Sequence, residues 1–188
     1  MKKIVTGLMA LLAMFGCTRA PPPQPEGKTP EGAGKRLRAR ILTTKPETVG
    51  MVSDSDFPKV YGVVCDWIIG DTVASIVSMK DGMASLYTTS TFGVIGGEGH
   101  ERVRAAARRL VTEAGRFHDS AQVATAFPYL GRGEVNYYLL TYQGVRLQIG
   151  DEKAIEAGED ATTSLFGAAQ DVLTELRQVT EKKMKTAN

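Results

Sequence analysis

The 188-residue chain is poor in the residues that most often carry chemistry: it has two histidines, two cysteines and a single tryptophan. His100 and His118 lie eighteen positions apart. If one helix carries both, about 27 Å separates them, which excludes a shared metal ion within one domain. Two cysteines exclude a disulfide-stapled miniature. Charge of one sign is also lacking. Lysine plus arginine number 23 against 21 acids, so there is no whole-molecule field for nucleic acid. No apolar run is long enough for a convincing membrane span. A Walker sequence and a Gly-x-Ser-x-Gly elbow are both missing. What remains is an ordinary globular composition, long enough for one domain plus appendages.

The first residues read as an export signal. Met1-Lys2-Lys3 is a basic start, and the thirteen residues from Ile4 to Gly16 carry no charge and are mostly apolar. As a helix they would cover about 20 Å, short of the roughly 30 Å hydrocarbon layer. A basic segment followed by a short apolar one is the pattern of a secretory leader. Removing Lys2 and Lys3 leaves 21 basic against 21 acidic residues, so the formal +2 belongs to the leader.

The apolar run ends in Ala13-Met14-Phe15-Gly16-Cys17. This resembles the bacterial lipoprotein lipobox, although Met14 and Phe15 depart from its commonest residues. The resemblance implies that the Cys17 thiol receives a diacylglycerol and that Cys17 becomes the new N-terminus. The rivals are ordinary cleavage after Ala20, disfavoured by Pro21, and a buried cysteine in an uncleaved helix. Several acyl chains on one residue would hold the protein persistently on a bilayer. Thr18 follows the cysteine where an Asp retains some lipoproteins at the inner membrane, so the resemblance favours the periplasmic leaflet of the outer membrane. Acylation of Cys17 would leave Cys65 without an intramolecular disulfide partner.

Residues 1–16 are thus expected as signal peptide, 17–36 as a lipid-anchored tether and 37–188 as a single domain. From Pro21 to Gly34 there are five prolines and three glycines, the composition of an extended spacer. Lys35, Arg36, Arg38 and Arg40 then read either as contacts to anionic head groups or, preferably, as the solvated start of the domain.

Within the domain, Val60–Ile69 alternates as a strand that places Tyr61, Val63, Cys65, Trp67 and Ile69 on one face. Gly70-Asp71 fits a type II′ turn and Asp81-Gly82 a type I′ turn. Together these predict a three-stranded meander over Val60–Ile69, Thr72–Met79 and Met83–Thr89. A helix follows from Glu101 to Phe117, with the stripe Val103, Ala106, Ala107, Leu110, Val111, Ala114 and Phe117. Strands are predicted at Glu134–Tyr142 and Val145–Ile149. An acidic loop from Asp151 to Asp160 leads to a last helix, for which Thr163 or Ser164 can supply the cap. The expected fold class is α+β: a five-stranded antiparallel sheet with both helices on one face. In outline this order resembles the roadblock, longin and profilin group, with three strands before the first helix in place of the usual two. The block from Tyr87 to Gly97 also resembles small uncharacterised bacterial proteins, a resemblance that implies no activity.

Candidate chemistry is thin. Gly93, Gly96, Gly97 and Gly99 before a helix invite a phosphate cradle. Arg102 stands where the third glycine of a dinucleotide fingerprint belongs, and Glu98 and Glu101 would repel phosphate, so a turn seating the helix is favoured. Cys65 reads as a small buried hydrophobe. Asp66 is expected on the solvent face as a guard against edge pairing, with a catalytic carboxylate as the alternative. No catalytic, cofactor-binding or metal residue is assigned, and no cofactor or nucleic-acid partner is expected. The first strand looks apolar on both sides, so either residues 38–58 fold across the second sheet face or another chain covers it, with self-covering preferred. The expectation is a membrane-tethered, non-catalytic interaction module that is homodimeric or binds an envelope protein. The alternative is a small-ligand binder or hydrolase-like enzyme at a cleft near Gly96–His100, with Asp66 or His100 as acid–base group.

Overall fold

The structure is a computed structural model that describes residues 32–90, 93–94, 96–129 and 131–186. The leader, Cys17 and the tether before Gly32 lie outside the described residues.

The elements are helix α1 (Ala33–Thr43), strands β1 (Val60–Ile69), β2 (Thr72–Met79), β3 (Ala84–Thr88) and β4 (Gly93–Val94), helix α2 (Glu101–Gly115), strands β5 (Gln122–Val123), β6 (Glu134–Thr141) and β7 (Gly144–Asp151), and helices α3 (Glu152–Ala157) and α4 (Thr163–Thr186). The seven strands form one sheet in the order β4-β3-β2-β1-β6-β7-β5, antiparallel throughout. The class is α+β as expected, but the sheet has seven strands, not five. The additional two are only two residues long, too short to leave an alternation in the sequence.

Helices α2 and α4 cover one face. Val63, Cys65, Trp67, Ile76 and Leu86 from the sheet meet Val103, Leu110, Leu165, Val172 and Leu176 in the main core. Trp67 packs edge-on against Phe166, ring centroids 5.6 Å apart. Of the expected α2 stripe, Val103, Ala106, Ala107, Leu110, Val111 and Ala114 are buried, whereas Phe117 lies beyond the helix end and is only partly buried. Gly97 lies where α2 and α4 converge. A Cβ there would stand 2.5 Å from Val103 and 2.8 Å from Leu176, so glycine is what lets the turn before α2 pass beneath both helices.

The second face has its own core, in which Leu42 and Met51 lie with Tyr61, Val64, Val77, Met79, Tyr87, Tyr138 and Leu140. It is covered by the chain itself. Helix α1 begins at Ala33, inside the residues expected as tether, and crosses close to β3. A Cβ on Gly34 would collide with the Thr88 carbonyl oxygen.

Several expectations are corrected. Tyr61 lies in the second core and Val60 in the first, the reverse of strict alternation. The register with β6 shifts between Val60 and Gly62, and this bulge inserts one residue and exchanges the faces. Asp81-Gly82 is not a type I′ turn, because Asp81 keeps a negative φ while Gly82 is at +94°. Gly82 N–H bonds the Met79 carbonyl, giving a four-residue turn from Met79 to Gly82. The acidic loop contains α3, started by Asp151, whose side chain accepts from Ala154 N–H at 2.9 Å, and ended by Gly158 at φ +75°. Thr163 and Ser164 do not cap α4. Their hydroxyls donate to the Asp160 carbonyl and to Glu113, while Asp160 accepts from both the backbone and the hydroxyl of Thr162.

Candidate functional site

Asp66 is not on a solvent face. It sits in central strand β1, between Ser75 of β2 and Asn136 of β6, and is fully buried beneath α1. A lone carboxylate there would be very costly. Arg38 of α1 meets it: Nε donates to Asp66 Oδ2 at 2.8 Å and Nη2 to the same oxygen at 2.5 Å. Arg38 is itself only 4% exposed. The basic run thus contributes one buried residue, against the expectation of a solvated segment. The reason is spacing: Gly34, Arg38 and Leu42 recur every four residues and are the three buried positions of α1.

The other Arg38 donors are also met. Nη1 donates to the Phe127 carbonyl at 3.0 Å and Nη2 reaches the Pro128 carbonyl at 3.4 Å. The guanidinium lies 4.2 Å from the ring centre of Tyr129 and 5.1 Å from that of Tyr138. The Tyr138 hydroxyl donates to the Pro128 carbonyl at 2.7 Å, tying the loop to the sheet. A carboxylate, two carbonyls and two aromatic faces thus make a cradle with the donor geometry and planarity of a guanidinium. Ser75, directly opposite on β2, adds a second side-chain interaction with the Asp66 carboxylate. Burial pushes the Asp66 carboxyl above its usual value, with the Arg38 guanidinium pulling against that push.

The groups suggested as an acid–base pair are not brought together. Asp66 faces α1, whereas His100 stands exposed at the start of α2 on the opposite side of the sheet. A recess of about 370 Å³ beside His100 is lined by Gly99, Arg102, Glu175, Gln178 and Lys182 among others. A larger open groove of about 1120 Å³ runs between α2 and α4. Its arginines are matched by acids, with Arg104 on Glu101, Arg108 on Asp56, Arg109 on Asp171 and Arg116 on Glu113.

His118 contacts Asp119 at 2.7 Å just past the end of α2. Among the described residues no group of three His, Cys, Asp or Glu side chains is placed to hold a metal ion, and no helix is long and apolar enough to cross a membrane. Cys65 is buried on the helix-covered face, and burial holds its thiol well above the usual range. Sequence reasoning missed Arg38, Tyr129 and Tyr138 as partners of Asp66. The spacing of four in Gly34, Arg38 and Leu42 was the available signal.

Compared with protein-family models, curated proteins and solved structures, the chain matches none.

Proposed function

We propose that the protein is a lipoprotein of the bacterial cell envelope, acylated on Cys17, whose domain works as a non-catalytic interaction or structural module. The observation that carries this reading is the end of the leader: a basic start, thirteen uncharged residues, and Gly16-Cys17 immediately before a proline-rich spacer. The spacer leads into α1, which is fastened to the centre of the sheet through Arg38 and Asp66. A load on the anchor would therefore pass into the folded core and not into a frayed terminus.

The test is incorporation of labelled palmitate by cells producing the full chain, with fractionation of the envelope. Label in the wild-type protein, lost in Cys17→Ser together with membrane association, supports the reading. An unacylated mature N-terminus removes the anchor. Turnover of a chromogenic ester or phosphate, lost on His100→Ala, removes the non-catalytic part.

A further inference from the structure

Helix α1 has little stability of its own. It is eleven residues long, below the length at which isolated helices persist in water. Gly32 at its start provides no side-chain cap, and its first turn has no acid to offset the helix dipole. Its order derives from docking, chiefly Leu42 in the second core and Arg38 in the cradle. The seven residues from Thr44 to Gly50 that join it to the buried Met51 are mostly exposed. Fully extended, they would reach about 23 Å.

The cradle, by contrast, belongs to the sheet and to the loop before β6, which the Tyr138 hydroxyl ties to the sheet at the Pro128 carbonyl without α1. We propose that the cradle of Asp66, Tyr129, Tyr138 and the Phe127 and Pro128 carbonyls is a guanidinium-binding site that α1 fills in cis and that α1 of a second copy can fill in trans. A second copy is the occupant that fits, because α1 carries the guanidinium, Gly34 for close passage over Thr88, and Leu42 for the apolar strip beyond. Exchange of α1 is then a helix swap hinged at residues 44–50, and it joins two tethers into one assembly. The inference does not depend on acylation.

The test uses the full chain in detergent with Arg38→Ala, which empties the cradle. Two probes are added while thermal unfolding is followed: ethylguanidinium, below the concentration that shifts the wild type, and a synthetic peptide of residues 33–43. Each is expected to raise the melting temperature of the variant by about 3–5 °C at saturating concentration. Ethylammonium, the peptide with Lys in place of Arg38, and either probe added to Arg38→Ala/Asp66→Asn should give no rise. If Arg38→Ala does not fold alone, its refolding yield with each probe replaces the melting temperature, and no gain in yield with either probe overturns the site. An unchanged melting temperature with both probes, or an equal rise with ethylammonium, overturns the site. For exchange in trans, differently tagged Arg38→Ala and Asp66→Asn chains are coexpressed. The second chain brings an intact Arg38 to the first chain's intact Asp66, so the pair should copurify while each alone stays monomeric. Failure to copurify overturns the swap.

Discussion

Removing one partner from the Arg38–Asp66 pair should cost far more than removing both. Arg38→Met leaves a fully buried carboxylate without its cation, and Asp66→Val leaves a guanidinium that is 4% exposed without its anion. Stranding one member of a buried pair costs about 3–5 kcal/mol, so the two single changes sum to about 6–10 kcal/mol if independent. In the double variant no charge is stranded and apolar volume fills the gap. The remaining cost is the lost donor to the Phe127 and Pro128 carbonyls, about 1–3 kcal/mol. The coupling energy is then at least about 3 kcal/mol, well beyond the scatter of a mutant cycle. Urea unfolding measures it, with far-UV circular dichroism beside the fluorescence of Trp67, the only tryptophan, which lies in the other core. Total stability of about 5–15 kcal/mol leaves room for each single variant to fold in the absence of urea. Single-variant losses below about 1 kcal/mol that simply add would mean that the pair is solvated, and the account of the cradle would be wrong.

Other outcomes follow from the same geometry. Gly34→Ala places a methyl group against the rigid Thr88 carbonyl and should release α1. Proteolysis after Arg36 or Arg40 should accelerate while the exchange protection of β1 stays unchanged. Leu176→Ala, emptying a fully buried site between α4 and Gly97, should cost about 2–5 kcal/mol in urea unfolding. Asp119 is held down to about 2 by the hydrogen bond from Lys59 and then by His118. Its stabilising contribution is therefore present above the ordinary carboxylate value and lost as pH falls from there towards 2. Carboxyl NMR should show that midpoint, and Lys59→Ala should move it upward.

The elements that were legible in advance are those whose pattern is local and long. β1, β2 and β6 alternate over eight or more residues, and the stripes of α2 and α4 repeat over several turns. The two-residue strands β4 and β5 leave no such trace, because pairing with Leu86 and Arg146 defines them, not their own composition. Tyr61 shows a different limit. A strict period of two assigns it to the helix-covered face, and one inserted residue opposite Thr141 sends it to the other. That insertion is a relation between strands 80 residues apart, and the alternation within β1 carries no record of it.

The candidate site was half legible for a related reason. Asp66 was conspicuous as an acid inside an apolar strand, yet the cheapest explanation of such an acid is exposure, and exposure depends on what crosses the face. What crosses it is α1, whose apolar stripe is interrupted by an arginine at the position that decides the matter. Counted as charge, Lys35, Arg36, Arg38 and Arg40 look alike. Counted by helical angle, Arg38 shares a face with Gly34 and Leu42, and Arg36 and Arg40 do not. A buried acid and a basic residue on the apolar face of an amphipathic segment each look like an error in isolation. Taken together they predict one another, because burying either alone costs more than a helix of eleven residues can supply. The same reasoning makes the pair a specificity device for α1: in a sheet face rich in tyrosine, valine and methionine, the buried charge of Asp66, together with the close passage of Gly34 over Thr88, fixes where along the face the helix can sit.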